Sequence, residues 1–194
     1  MNNDSSINEA LQTLLDGNKR FAAMKQTHPN QDRVRRDEVK GGQKPFAVVV
    51  GCSDSRIPPE ILFDQGIGDL FIIRLAGNIV DDTALGSVEY AVDHLGSRLV
   101  VVLGHSKCGA VTATAKGGEA PGHIGSIVKL IAPALERVRD KPGDLVDNAI
   151  RENAKLVAAT IASSKPILEE MAREGKIAVL ALYYDIDTGL VETL

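Results

Sequence analysis

The 194-residue chain is long enough for one domain with a sizeable core, and its 44% hydrophobic and 25% charged content is ordinary for a globular protein. A net charge of −4 gives no basis for a nucleic-acid partner or an anionic membrane surface, and basic residues such as Arg33, Arg35 and Arg36 read as a solvated face. The opening Met1-Asn2-Asn3-Asp4 has neither a basic start nor an apolar run, and no stretch is apolar for long enough to span a bilayer, so a cytoplasmic location is the default expectation.

Ser6-Ile7-Asn8-Glu9 reads as a capping box, and Ile7, Leu11, Leu14, Leu15 and Phe21 follow at helical spacing. The polar, basic stretch 26–40 has no core of its own. Residues 1–40 are therefore expected to form a helical arm able to pack on another subunit. Val-rich apolar runs at 46–51 and 99–104, with turn residues at their ends, predict buried strands, and 69–74 and 177–182 predict two more. Helices are expected after Pro58-Pro59, from Thr83 to Leu95 with a stop at Gly96, in two segments between Ile124 and Ser163, and from Pro166 to Glu174. Asp187-Thr188-Gly189 marks a turn before a short edge strand at Leu190-Val191. The alternation predicts a single α/β domain spanning 1–194, with a central, mostly parallel sheet flanked by helices.

Ligands in such sheets bind beyond the carboxyl ends of the strands, where the strand order reverses. Both cysteines of the chain lie there. Cys52 follows Gly51 at the end of the first buried strand; His105 and Cys108 follow Gly104 at the end of the third. In a chain without an export signal, one disulfide is a poor reading, and two buried thiols would be the bland one. The His-x-x-Cys pair changes that. Two thiolates and one imidazole make a soft site suited to zinc, and three protein ligands leave a fourth position open. Asp54 has two readings. It can bind the metal as a fourth ligand and close the site, or it can turn to Arg56 in an ion pair. His28, His94 and His123 have no partner at ligand spacing. Gly51-Cys52-Ser53-Asp54-Ser55 approaches a nucleophile elbow but lacks the final Gly, and no acid-then-His order follows it.

Gly51-Cys52-Ser53-Asp54-Ser55-Arg56 and Gly104-His105-Ser106-Lys107-Cys108-Gly109 resemble the motifs of the beta-class carbonic anhydrases. The resemblance extends through Arg74-Leu75-Ala76-Gly77-Asn78, Gly86-Ser87-Val88-Glu89-Tyr90 and Tyr184-Asp185-Ile186-Asp187-Thr188-Gly189. It implies one zinc ion per subunit on Cys52, His105 and Cys108, with a catalytic Asp54–Arg56 dyad beside it. The reaction implied is reversible hydration of carbon dioxide to bicarbonate and a proton by zinc-bound hydroxide. It also implies a homodimer or a dimer of dimers, with active sites near the subunit interface. Gln43 matches a substrate-binding Gln of the plant-like subgroup, and Phe71, Tyr90 and Gly109 are further substrate-pocket candidates. Two positions depart from family patterns. Leu75 replaces a frequent Asn, and Val49 stands where one bacterial subgroup has a Trp of a regulatory bicarbonate site. Two other readings remain on sequence grounds: a hydrolase of carbonyl sulfide or carbon disulfide on the same site, and a non-catalytic zinc or redox module with Asp54 as permanent ligand.

Overall fold

The computed structural model describes residues 3–194; Met1 and Asn2, part of the segment read for targeting signals, lie outside the described residues. Five strands form one sheet in the order β2-β1-β3-β4-β5, with β1 at Ala47–Gly51, β2 at Leu70–Arg74, β3 at Leu99–His105, β4 at Ala178–Tyr184 and β5 at Val191–Thr193. The first four are parallel and β5 runs antiparallel to β4, which gives the mostly parallel sheet with an edge strand that the sequence predicts.

Continuous apolar runs form β1 and β3 because both faces of the sheet are covered. Ala47, Val49, Leu99, Val101 and Leu103 pack with Leu14 of the N-terminal helix α1 (Asn3–Ala22), with Phe63 after the short α3 (Pro59–Leu62), and with Ile131 of α6 (Ile124–Val138). Val48, Val50, Val100 and Val102 pack on the other face against Val88 of α4 (Asp82–Glu89), Val157 and Ile161 of α7 (Leu145–Ala162) and Leu168 of α8 (Ile167–Arg173). A Cβ on Gly104 would stand 3.2 Å from Ala154 Cβ and 3.4 Å from the Ile150 carbonyl, so a small residue here lets α7 lie close to β3.

The structure adjusts several predicted elements. α1 begins at Asn3, so Ser6 is inside the helix and is not its cap; its hydroxyl instead accepts a hydrogen bond from Arg98. α1 also docks on its own chain. Buried Asn18 donates to the carbonyls of Leu62 and Gly189 and accepts from the Val191 N–H. The segment after α1 includes α2 (Arg33–Val39), which buries no residue of its own. The helix expected over 83–95 widens into a π turn at Tyr90–His94, where Leu95 N–H bonds back to the Tyr90 carbonyl; Gly96, at φ 75°, ends it. β3 runs one residue further than predicted because His105 pairs with Tyr184 of β4. Among the described residues, no helix is long and apolar enough to cross a membrane.

Asp64 secures the return from α1. Its buried carboxylate accepts from Arg20 Nε at 2.6 Å, from the backbone N–H groups of Thr27 and His28 at 3.0 Å each, and from the Thr27 hydroxyl at 3.1 Å. Burial alone would raise its pKa, but these donors outweigh burial and hold it below the usual carboxylate value. A depressed native pKa means that the contribution to stability is complete above the unfolded carboxylate's pKa of about 3.9 and is lost as pH falls below it. Asp64→Ala is expected to cost about 1–3 kcal/mol in urea unfolding at pH 7. The gap between variant and native protein should narrow as the titration is repeated toward pH 3. A pH-independent gap would mean that packing, not the charge, is what Asp64 supplies.

Candidate metal centre

The strand order reverses between β1 and β3: the chain leaves β1 for β2 on one side and returns to β3 on the other. Loops leaving the carboxyl ends of these two adjacent strands diverge and open a crevice. Cys52 leaves β1 there, His105 ends β3, and Cys108 precedes α5 (Gly109–Lys116). One donor atom from each of these three buried residues lies within 4.8 Å of the others.

The donor chemistry fits a cation. His105 Nδ1 lies 2.9 Å from the Ser106 carbonyl, which can only accept, so Nδ1 carries the proton. That leaves Nε2 as a bare lone pair, and Nε2 is fully buried with no hydrogen-bond partner. An unpaired buried acceptor is costly unless something fills it. The two sulfurs lie within 4.8 Å of each other, and this closeness favours the Cys52 thiolate while pushing the Cys108 thiol up, so a cation bound to both would displace a proton. The Gly77 N–H, 3.1 Å from Cys52 Sγ, also favours the Cys52 thiolate, while backbone N–H groups of Val111 and Ala110 at the start of α5 favour that of Cys108.

Asp54 is not one of the clustered donors. Its Oδ1 accepts from Arg56 Nε at 2.9 Å and from the Arg56 backbone N–H at 3.0 Å, and its Oδ2 accepts from the same guanidinium at 2.6 Å. The Arg56 guanidinium holds the carboxyl well below the usual carboxylate range. Of the two readings left by the sequence, the structure thus has Asp54 paired with Arg56.

Several supports were not visible in the sequence. Arg74, level with Gly51 in the sheet, donates to the carbonyls of Cys52 at 2.8 Å and Asp54 at 2.5 Å and fixes the loop that carries both. Lys107 sits at φ 58°, a left-handed position uncommon for a residue with a Cβ, and its carbonyl accepts from Arg56 at 3.2 Å. The two loops are thereby tied together. Arg74 had a signal, being quoted within a motif, but which carbonyls a guanidinium reaches depends on strand register.

The remaining candidates separate. Gly109 is the first residue of α5, beside Cys108, and a Cβ there would meet nothing within 4 Å. Gln43 is exposed and precedes β1, so the strand itself separates it from Cys52 at the other end. Phe71 pairs with Val48, in the amino half of β2, and packs on the sheet face opposite the triad. The exposed Tyr90 ring lies 6.3 Å from Phe71 and 5.4 Å from His94. Within one chain, Gln43, Phe71 and Tyr90 are not brought to the triad. Leu75 is half-buried and packs on both core layers, and Val49 is fully buried.

If three donors hold the ion, Cys108→Ala leaves two. Metal affinity by chelator competition is expected to fall by more than the roughly 10–100-fold typical of losing an outer partner. Near-native affinity would remove Cys108 from the ligand set.

Known proteins resemble this chain over most of its length. The carbonic anhydrase family model matches residues 47–191. Carbonic anhydrase 2 of Mycobacterium tuberculosis is 38% identical over 184 residues, covering 93% of this chain and 89% of that protein. The carbonic anhydrase of Mycolicibacterium smegmatis is 40% identical over 187 residues, covering 94% and 91%. A solved structure from a study of two tetrameric beta-carbonic anhydrases of Sordaria macrospora superposes with a TM-score of 0.75 at 26% identity, covering 82% of this chain and 85% of that one. With the fold, the motif residues and these relatives in agreement, the chain belongs to the beta-carbonic anhydrase family of enzymes.

Proposed function

We propose that this enzyme, as a single cytoplasmic domain, performs zinc-dependent, reversible hydration of carbon dioxide to bicarbonate and a proton. The observation that carries the reading is the position of Asp54. It is turned onto Arg56 beside a triad whose imidazole nitrogen is bare. Three donors with a fourth position left free is the catalytic pattern, whereas a structural zinc site is closed by four. The same position of Asp54 counts against the non-catalytic module.

Cys52, His105 and Cys108 would hold the ion. Zinc supplies Lewis acidity that brings the ionisation of water toward neutral pH. Asp54, kept ionised by Arg56, can only accept hydrogen bonds. It accepts one from the attacking oxygen and so directs a lone pair of that oxygen toward the carbon of carbon dioxide. Arg56, bonded to both Asp54 oxygens, would keep them from a bound ion. The Gly109 N–H, at the open first turn of α5, offers a donor to a substrate oxygen.

Gln43, Phe71 and Tyr90 lie too far along their own chain to serve the triad. We assign them to the site of a neighbouring subunit in a homodimer or dimer of dimers. The tetrameric Sordaria relatives support such an assembly. Two reduced, metal-binding thiols suit the reducing cytoplasm.

Arg56→Ala is expected to retain zinc and to lose hydration activity by about a hundredfold or more, the scale on which a positioned acid–base group acts. Stopped-flow hydration with zinc assayed in the same sample reads both. Near-native activity in the zinc-loaded variant would contradict the role given to Asp54 and Arg56.

A further inference from the structure

Asn153 is an anomaly on α7. It is 1% exposed, one turn from Ala149 and Val157 on the buried face of that helix, in a setting otherwise filled by Ile150, Ala154, Ala158 and Ile161. A buried amide in an apolar layer is unfavourable unless it is hydrogen-bonded. Asn153 Nδ2 donates to the Gly77 carbonyl at 2.8 Å. Gly77 in turn points its own N–H at Cys52 Sγ, 3.1 Å away.

Gly77 has little freedom. Its φ of 75° is left-handed, and a Cβ there would meet Ile131 Cδ1 at 2.6 Å and Ala110 Cβ at 3.2 Å. α5 and α6 therefore press on this residue from one side while Asn153 of α7 holds its carbonyl. The peptide after Gly77 is also tied through the Asn78 N–H to the Leu75 carbonyl at 2.9 Å, so what Asn153 adds is a fix on the position of Gly77; its loss lets that residue shift and the N–H-to-sulfur distance lengthen.

We propose that Asn153 is a positioning residue that, by holding the Gly77 carbonyl, keeps the Gly77 N–H within hydrogen-bond reach of Cys52 Sγ. The inference rests on Cys52 being a metal ligand. An N–H on a thiolate withdraws charge from the sulfur, so the sulfur donates less to the ion and the ion polarises water more strongly; partners outside the ligand shell commonly tune metal sites in this way. Asn153 thus links the interior of α7 to the electronic character of the site without touching substrate.

The test uses the cobalt(II)-substituted protein, in which thiolate-to-cobalt charge-transfer bands report the sulfur directly. Asn153→Leu keeps the approximate size and removes the donor. Val157→Ala, one turn away on the same helix, controls for general loosening of α7. Asn153→Leu is expected to shift the charge-transfer bands to lower energy and to move the midpoint of the zinc enzyme's pH–rate profile upward. Val157→Ala should leave the bands and the midpoint in place. Unchanged bands in a folded Asn153→Leu protein, or an equal shift in Val157→Ala, would overturn the assignment. Should Asn153→Leu fail to fold, Asn153→Ser is read in its place, and cadmium-113 NMR of the native protein gives an independent reading. A through-bond coupling between the Gly77 amide proton and cadmium is expected, and its absence would overturn the hydrogen bond. A native protein that takes up neither cobalt nor cadmium would overturn the metal reading itself; native uptake with no effect of Asn153 overturns only this inference.

Discussion

The ion pair between Asp54 and Arg56 decides what the site can be. A carboxylate two residues from a candidate metal-binding cysteine would itself be a good ligand, and a free Asp54 would compete for the open position of the proposed site. Arg56 meets both carboxylate oxygens in a fork geometry that a lysine could not reproduce. The pair is partly solvated, with side-chain exposures of 49% for Arg56 and 16% for Asp54, so its worth lies in orientation more than in global stability.

The surrounding fold serves that orientation. Arg74 reaches from β2 to the carbonyls of Cys52 and Asp54, so the loop that carries ligand and carboxylate is fixed to the neighbouring strand. The Lys107 carbonyl binds Arg56 from the other loop, while pairing of His105 with Tyr184 holds that loop's base in the sheet. The candidate triad and the Asp54–Arg56 pair are thus built on strand ends whose register is set by buried Val residues on both faces. Precision at the crevice comes from the rigidity of the sheet beneath it.

Much of this was legible in the chain. Uninterrupted Val runs specify doubly covered parallel strands, and Gly-Cys and Gly-His at their ends specify where two loops converge. What escaped sequence reading shares one physical cause: it depends on contacts between residues distant along the chain. Asn153 meets Gly77 across 76 positions, and Arg74 meets Cys52 across 22. The capping-box reading of Ser6 failed because the local Ser-x-x-Glu pattern does not fix where a helix starts: α1 already runs from Asn3, which puts Ser6 inside it. Gln43, Phe71 and Tyr90 resemble pocket residues in type, but their strand and helix positions put them away from their own triad. A linear sequence does not say which subunit a residue serves.

The central claim is that three protein donors and an ion-paired Asp54 leave a position at which water is activated. Hydration of carbon dioxide, followed by stopped flow across a pH series on preparations of graded zinc content, tests it most directly. The account predicts a rate proportional to bound zinc and rising with pH above neutrality, since two thiolates donate more charge than imidazoles would and hold the ionisation of water on the higher side. Full zinc occupancy with no hydration at any pH would contradict it.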